Sequence, residues 1–461
     1  MKTSTTIKAF LLASTILHSP FSILNFTTQS AVIEQVIVRQ QWPWSTDVKI
    51  EYKLSQVTNP VDIAVRAYNG TTPLDNSRIA GALSGNRYGI TESGVGTIVL
   101  DPVKAFGNDK VAIADFRVEL ELIESTESTL EVLYKVFDLS DGSCVDITRG
   151  ELLNGKYGSV ETDYSKFGGN ASGMPSDMLI WTGVTNDIRY ATTHLVLRRI
   201  PAGSIQLGYS DGCNDKWGGI VNPTHDYEIT KPFYIGVFEL TRCQYKLLTT
   251  GDSWKWTAFR VYDARPMETY ITYANMRGST NGALWPTSDA VDETSVLGVL
   301  RSRTSEKFDL PTENQWEYAC RAGVRKVYNN GTSNTAGLNL VGRHSGNGGQ
   351  LNGATPPNDI GYTNGTMTVG GYAPNAYGLY DMHGNVAELC RDWAANDPTA
   401  FTDDTQNPTS AQSNGQRVKR GSSWYYDYRY QRAEQRAAVG VSSGDSGTGV
   451  RVMMEIATPA E

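Results

Sequence analysis

The chain contains no C-x-x-C pair and no H-x-x-x-H or H-E-x-x-H spacing. The first absence leaves structural zinc and dithiol redox chemistry without their usual ligand pattern, and the second leaves no histidine face for iron or zinc. His194, His225, His344 and His383 stand singly, as structural histidines usually do. A basic excess is also missing. The 41 Lys and Arg against 49 Asp and Glu give a formal charge of -8, and no Lys/Arg run forms a local patch, which argues against a nucleic-acid partner. Beyond the N-terminal segment, no apolar stretch is long enough to span a bilayer.

What is there begins with an export signal. Lys2 and Lys8 flank a polar segment, and Ala9 to Leu17 form an apolar stretch too short to cross a membrane, with small residues at Ser30 and Ala31. Cleavage is expected before about Val32, giving a leader over 1–31 and an exported protein, periplasmic or extracellular. The five cysteines, Cys144, Cys213, Cys243, Cys320 and Cys390, then allow two disulfides and a spare thiol. Cys320 with Cys390 is the preferred pair, and Cys213 with Cys243 the second. A length of 461 residues exceeds one ordinary core, so two or more domains are expected.

Residues 32–158 read as short strands. Val48, Ile50, Tyr52 and Leu54 alternate with polar residues, and Val61 to Tyr68 repeats the period before the turn signal Asn69-Gly70. Further strands are expected at Thr97 to Leu100, Val111 to Ile123 and Leu130 to Phe137. Without a convincing helix between them, the pattern predicts an all-β, immunoglobulin- or fibronectin-like sandwich. Residues 159–193, rich in Gly, Ser, Asp and Asn, read as a linker that partly packs on its neighbours. From 194 to 458 the character changes. Thr241 with Gln244 and Thr312 with Gln315 make capping boxes that open helices, Ser295 to Arg303 has one apolar face, and 323–377 is loop-rich.

The segment Gly378 to Trp393 combines turn formers with spaced carboxylates. Asp381 and Glu388 offer hard oxygens around a turn at Gly384, which suits a cation, while a turn capped by Asp and Asn side chains is the alternative from the residues alone. Downstream, Trp424, Tyr425, Tyr426, Tyr428 and Tyr430 place five aromatics in seven residues.

Four landmarks give the second half a family resemblance: Phe233 to Gly236 with Glu239 to Thr241; Leu310 to Ala319; Gly378 to Trp393; and Arg417 to Trp424 with Gly449 to Val452. In this order and spacing they resemble the formylglycine-generating enzyme, or sulfatase-modifying factor, family over about His194 to Ile456. The resemblance implies an α+β, loop-rich variant of the C-type lectin fold. It also implies a structural calcium held by the side chains of Asp381 and Glu388 and the carbonyls of Gly384 and Val386. A second calcium region of the family would fall within 342–370, where the sequence departs from the pattern.

The resemblance further implies two cysteines near the C-terminus that bind copper and oxidise a substrate cysteine to an aldehyde. Here the last cysteine is Cys390, so neither is present, and the helical histidine-bearing domain of the family's iron-dependent relatives is missing too. No catalytic residue, copper or iron is therefore expected. The resulting expectation is a binding module for a peptide, protein or glycan, using Tyr426, Tyr428, Tyr430, Arg429 and Arg432, since tyrosine gives contact area at low entropic cost. The alternative is an oxidoreductase of the same family acting on a protein or small-molecule thiol through a non-standard site.

Overall fold

A computed structural model describes residues 31–41, 44–107, 113–163, 167, 179–211, 223–249, 264–268, 271–348, 365–405 and 415–456, with strand segments Thr6–Phe10 and Ile220–Val221. The chain divides into two compact units, 1–132 with 147–160, and 133–146 with 161–461.

The first unit is built from two four-stranded antiparallel sheets. One runs in the order Thr6–Phe10, Phe116–Glu124, Val61–Asn69, Thr72–Pro73. The other runs Val32–Gln40, Val48–Ser55, Gly94–Leu100, Leu83–Gly85. Alternation over Val48–Ser55 sends Val48, Ile50, Tyr52 and Leu54 inward as the period requires, where they meet Ile63, Val65, Val118 and Leu120 of the other sheet in one apolar cluster. At the Asn69-Gly70 turn the strand folds back, with Asn69 opposite Thr72 and Gly70 at φ 61°. Four short helices sit between the strands, at Asn76–Gly81, Pro102–Phe106, Glu127–Leu130 and Arg149–Leu153, where none was expected. At four to six residues each, they are too short to show a helical period. Of the expected leader, Thr6–Phe10 and Ala31 are described, the former running antiparallel to Phe116–Glu124.

The strand expected at Leu130 to Phe137 in the sandwich is found at Val132–Asp138, and from Leu133 on it belongs instead to the second unit, in its central sheet. That sheet has the order Cys144–Thr148, Val132–Asp138, His194–Ile200, Phe233–Gly236, Met453–Glu455, Phe308–Asp309. Leu133, Tyr134, Val136 and Phe137 are buried on both faces of the strand, and a strand buried on both faces carries no alternation that would assign it to a neighbour. The linker expected over 159–193 is also partly structural. Ile180 and Trp181 are fully buried, Glu161 bridges to Ile180, and the Trp181 N–H donates to the Tyr134 hydroxyl at 3.0 Å. Single-turn helices such as Thr182–Asn186 leave no periodic trace in sequence.

The capping boxes behave as read. Thr241 caps Arg242–Leu248, Thr312 caps Glu313–Arg321, and Ser295 caps Val296–Thr304. All nine residues of Glu313–Arg321 are buried, because the helix lies inside the unit with the Gln416–Arg420 and Ala387–Trp393 strands beside it. Those two strands are the centre of a second sheet, ordered Ile220–Val221, Gln435–Gly440, Gln416–Arg420, Ala387–Trp393, Thr448–Gly449. Within the loop-rich 323–377 span, Thr335–Val341 and Ser345–Gly348 are helical.

Cys320 and Cys390 are both buried free thiols, so the preferred disulfide is not formed. The Cys320 sulfur lies 3.9 Å from the Met382 carbonyl oxygen. Cys213, of the second expected pair, lies outside the described residues.

Candidate functional site

The aromatic run follows directly from the Gln416–Arg420 strand. Gly421 at φ 82° and Ser422 at φ 60° turn the chain, and a Cβ at Gly421 would come within 2.9 Å of the Trp316 ring, so the turn needs glycine there. Trp424 goes inward, 3% exposed, with its indole N–H donating to the Ser446 carbonyl at 3.3 Å. Tyr425 and Tyr426 stack with centroids 4.5 Å apart, and Tyr426 lies 5.6 Å from Tyr430. Asp427 caps the single turn Tyr428–Tyr430 by accepting from the Arg429 N–H at 2.9 Å.

This geometry separates the five residues expected to contact a ligand. Tyr426 and Tyr430 line a pocket of about 270 Å³ together with Ala387, Ala437 and Ala438. Tyr428 turns the other way, packing on the Val327, Tyr328, Leu338 and Val341 cluster, and its carbonyl accepts from the Tyr328 hydroxyl at 3.0 Å. Arg429 is exposed and held by Asp427 at 2.8 Å. Arg432 is not a surface residue at all. It is 1% exposed, and donates to the Arg429 carbonyl at 2.7 Å and the Gln435 side-chain oxygen at 2.9 Å. A guanidinium offers five donors and is readily satisfied inside a protein, so an arginine next to aromatic residues does not by itself signal a solvated face.

Lys419 and Arg436 also reach this pocket; in the sequence Arg436 reads either as a partner for carboxylates or as a solvated charge, and Lys419 carries no signal of its own. Lys419 donates to Asp445 at 2.8 Å and Thr448 at 3.0 Å, and Arg436 makes a two-pronged pair with Glu313 at 2.8 and 3.0 Å. Both cations are neutralised by these partners, and the lining is left mainly to methyl groups and tyrosine rings. Behind the pocket, Glu317 accepts from the Gly208 N–H and from Arg321, each at 2.8 Å, and pairs with Arg420.

The Gly378 to Trp393 segment is buried beside this network. Asp381 (φ 60°), Gly384 (φ 92°) and Asn385 (φ 61°) all take left-handed backbone, and a Cβ at Gly384 would fall 1.8 Å from the Arg343 carbonyl. Asp381 accepts from the Gly370 N–H at 2.7 Å. Glu388 is engaged on both oxygens, by Arg451 at 2.7 to 3.0 Å and by the Trp316 indole N–H at 2.5 Å. A third carboxylate, from the first landmark, completes the group: Glu239 accepts from the Asn385 side chain at 2.6 Å and the Val386 N–H at 3.1 Å. Burial pushes the Glu239 carboxyl well up, and the charges of Asp381 and Glu388 push it further; burial, with a smaller push from the Glu388 charge and against Gly370 and Arg451, raises Asp381 to about 6.

A hard cation fits this donor set by charge, since three buried carboxylates face one guanidinium. Geometrically, Glu388 is already saturated by Arg451 and Trp316. Among the described residues no group of three or more His, Cys, Asp or Glu side chains is placed to hold a metal ion.

The central sheet, the capped internal helix and the loop-built pocket define a domain of the sulfatase-modifying type. Residues 188–456, more than half of the chain, match the sulfatase-modifying factor enzyme 1-like domain, and the chain belongs to that family. The formylglycine-generating enzyme of Mus musculus is 36% identical over 149 residues, 31% of this chain and 38% of that protein. The enzyme of Thermomonospora curvata is 36% identical over 143 residues, 30% of this chain and 45% of that protein. The chain thus spans less than half the length of these curated relatives. Among solved structures, PvdO from Pseudomonas aeruginosa aligns with a TM-score of 0.41 at 22% identity, over 57% of this chain and 94% of that one.

Proposed function

We propose that the protein is an exported binding module of this family that takes a peptide, protein or glycan ligand at the Tyr426–Tyr430 pocket and does not generate formylglycine. One observation carries the reading: the aromatic segment opens onto a pocket lined by alanines and tyrosines with both cations neutralised, while no cysteine follows Cys390. Burial pushes the Cys320 and Cys390 thiols up, which disfavours their thiolate forms. Export rests on the N-terminal leader pattern. The immunoglobulin-like reading of the first unit rests on its two antiparallel sheets sharing one core.

The test pairs two measurements on the purified chain. On peptide and glycan arrays, Tyr426→Ala with Tyr430→Ala should weaken wild-type ligands by about tenfold or more, as truncated aromatic anchors do. Incubation with a Cys-x-Pro-x-Arg peptide, oxygen and copper should leave the cysteine unchanged by mass spectrometry. Formation of the aldehyde would overturn the non-catalytic reading and favour the oxidoreductase.

Calcium is proposed as the ion that balances the Glu239, Asp381 and Glu388 charges, with Asp381 and the Gly384 and Val386 carbonyls as ligands. Glu388 joins them only by giving up part of its pairing with Arg451. Calcium added to chelator-treated protein is expected to raise the melting temperature by several degrees, and Asp381→Ala to remove the effect. An unchanged melting temperature would count against the metal.

A further inference from the structure

The first unit holds a cleft of about 490 Å³ that none of the foregoing uses. It exists because a strand stops supplying side chains to the core. Along Gly94–Leu100 the inward positions are 94, 96, 98 and 100. Ile98 and Leu100 are fully packed, but the other two are glycines. The Tyr52 ring lies over Gly96, where a Cβ would fall 2.1 Å from the Tyr52 hydroxyl oxygen, and that hydroxyl donates to the Asn86 carbonyl at 2.6 Å. The space above Gly94 is left to the cleft, with Leu54 and Tyr52 at its floor.

The same strand is half bare at its edge. On one side it pairs with Val48–Ser55 along its whole length, from Leu54 opposite Gly94 to Val48 opposite Leu100. On the other side, among the described residues, it pairs only from Ile98 to Leu100, with Gly85 to Leu83. The chain that would continue this pairing leaves for the other sheet. After the Asn86 N–H donates to the Thr97 carbonyl at 2.9 Å, the Arg87 carbonyl accepts from Ile63 and Ile90 bridges to Val61.

Backbone polarity alternates along an antiparallel strand. Because the Thr97 carbonyl points away from Val48–Ser55, the Val95 N–H and C=O point the same way, into the cleft, while the Val95 side chain is 75% exposed on the outer face. A glycine-flanked residue with its donor and acceptor directed into a cleft is a place for another backbone to approach.

We propose that this cleft binds a short extended peptide by strand addition, one peptide residue exchanging two backbone hydrogen bonds with Val95. The residues on either side of it point inward over Gly94 and Gly96, toward Leu54 and Tyr52, so the recognised pattern is apolar, any, apolar.

The probe is fluorescein-labelled Ser-Val-Thr-Val-Ser with an amidated C-terminus, titrated into the full chain up to about 1 mM by anisotropy, with hydrogen exchange followed across residues 93–97. Saturable binding and slowed exchange at Val95 are expected. A probe N-methylated at its central threonine should bind about tenfold more weakly, and Val95→Pro, which removes the N–H but leaves the core side untouched, should do the same. Equal binding by the N-methylated probe would overturn backbone pairing. No binding and no protection at the highest concentration would overturn the site. Protection by maltotriose but not by the peptide would assign the cleft to a glycan and overturn the proposal equally.

Discussion

Arg451→Met should lower the stability of the C-terminal unit by about 3–5 kcal/mol, the usual cost of leaving one member of a buried ion pair behind. Arg451 is 0% exposed and ties three segments together: it donates to Glu388, to the Gly236 and Val237 carbonyls at 2.9 Å, and to the Tyr380 carbonyl at 2.7 Å. Its loss strands Glu388 next to Glu239 and Asp381, whose like charges already oppose one another. The double variant Glu388→Gln, Arg451→Met should recover part of the loss, because neither charge then remains unpaired. Urea unfolding followed by tryptophan fluorescence measures both, since Trp316 sits on the Glu388 carboxylate. If the double variant loses the sum of the two single losses, the pair is not coupled and does not anchor the loop.

Glu317→Gln is expected to cost a similar amount, about 3–5 kcal/mol, and to change the acid limb of the stability profile. Burial alone would raise the Glu317 carboxyl, but the charges of Arg321 and Arg420, with the Gly208 N–H, hold it below the usual carboxylate range. The folded state therefore binds this proton less tightly than the unfolded chain, whose glutamates titrate near about 4.3. Its contribution is complete above that pH and is lost as pH falls through the folded value. Wild-type protein should lose stability steeply below about pH 4, and the variant, lower at neutral pH and approaching the wild type in acid, should show a shallower slope there. A variant with the wild-type slope would place the acid sensitivity on other carboxylates.

The two expected losses fall in places that the sequence displayed very unequally. The capped helix carrying Glu317 was legible from Thr312 and Gln315, because a capping box is a local interaction between residues three apart. That Glu317 itself was buried was not legible, since its partners Arg321, Arg420 and Gly208 come from a helix, a strand and a distant turn. Asp381, Gly384 and Glu388 stood out as a turn with spaced carboxylates, while Glu239, about 140 residues earlier, did not. The aromatic run was visible as composition. Its division into Tyr426 and Tyr430 at the pocket, Tyr428 in a side cluster and Arg432 in the interior depends on one capped turn at Asp427 and on which neighbours each side chain meets.

By itself the sequence determined the features that rest on near neighbours: the alternation of Val48 to Leu54, the Asn69-Gly70 turn, the capped helix starts, and the landmark order that marks the family. The expectation that the copper-binding pair is missing also came from the sequence, in which no cysteine follows Cys390. Only the tertiary structure decided that Val132–Asp138 joins the second unit, that Cys320 and Cys390 remain thiols, and that Arg451 saturates Glu388. Those outcomes depend on partners brought together from far apart in the chain. Burial and pairing of that kind follow from packing, and leave no period or spacing in the local sequence.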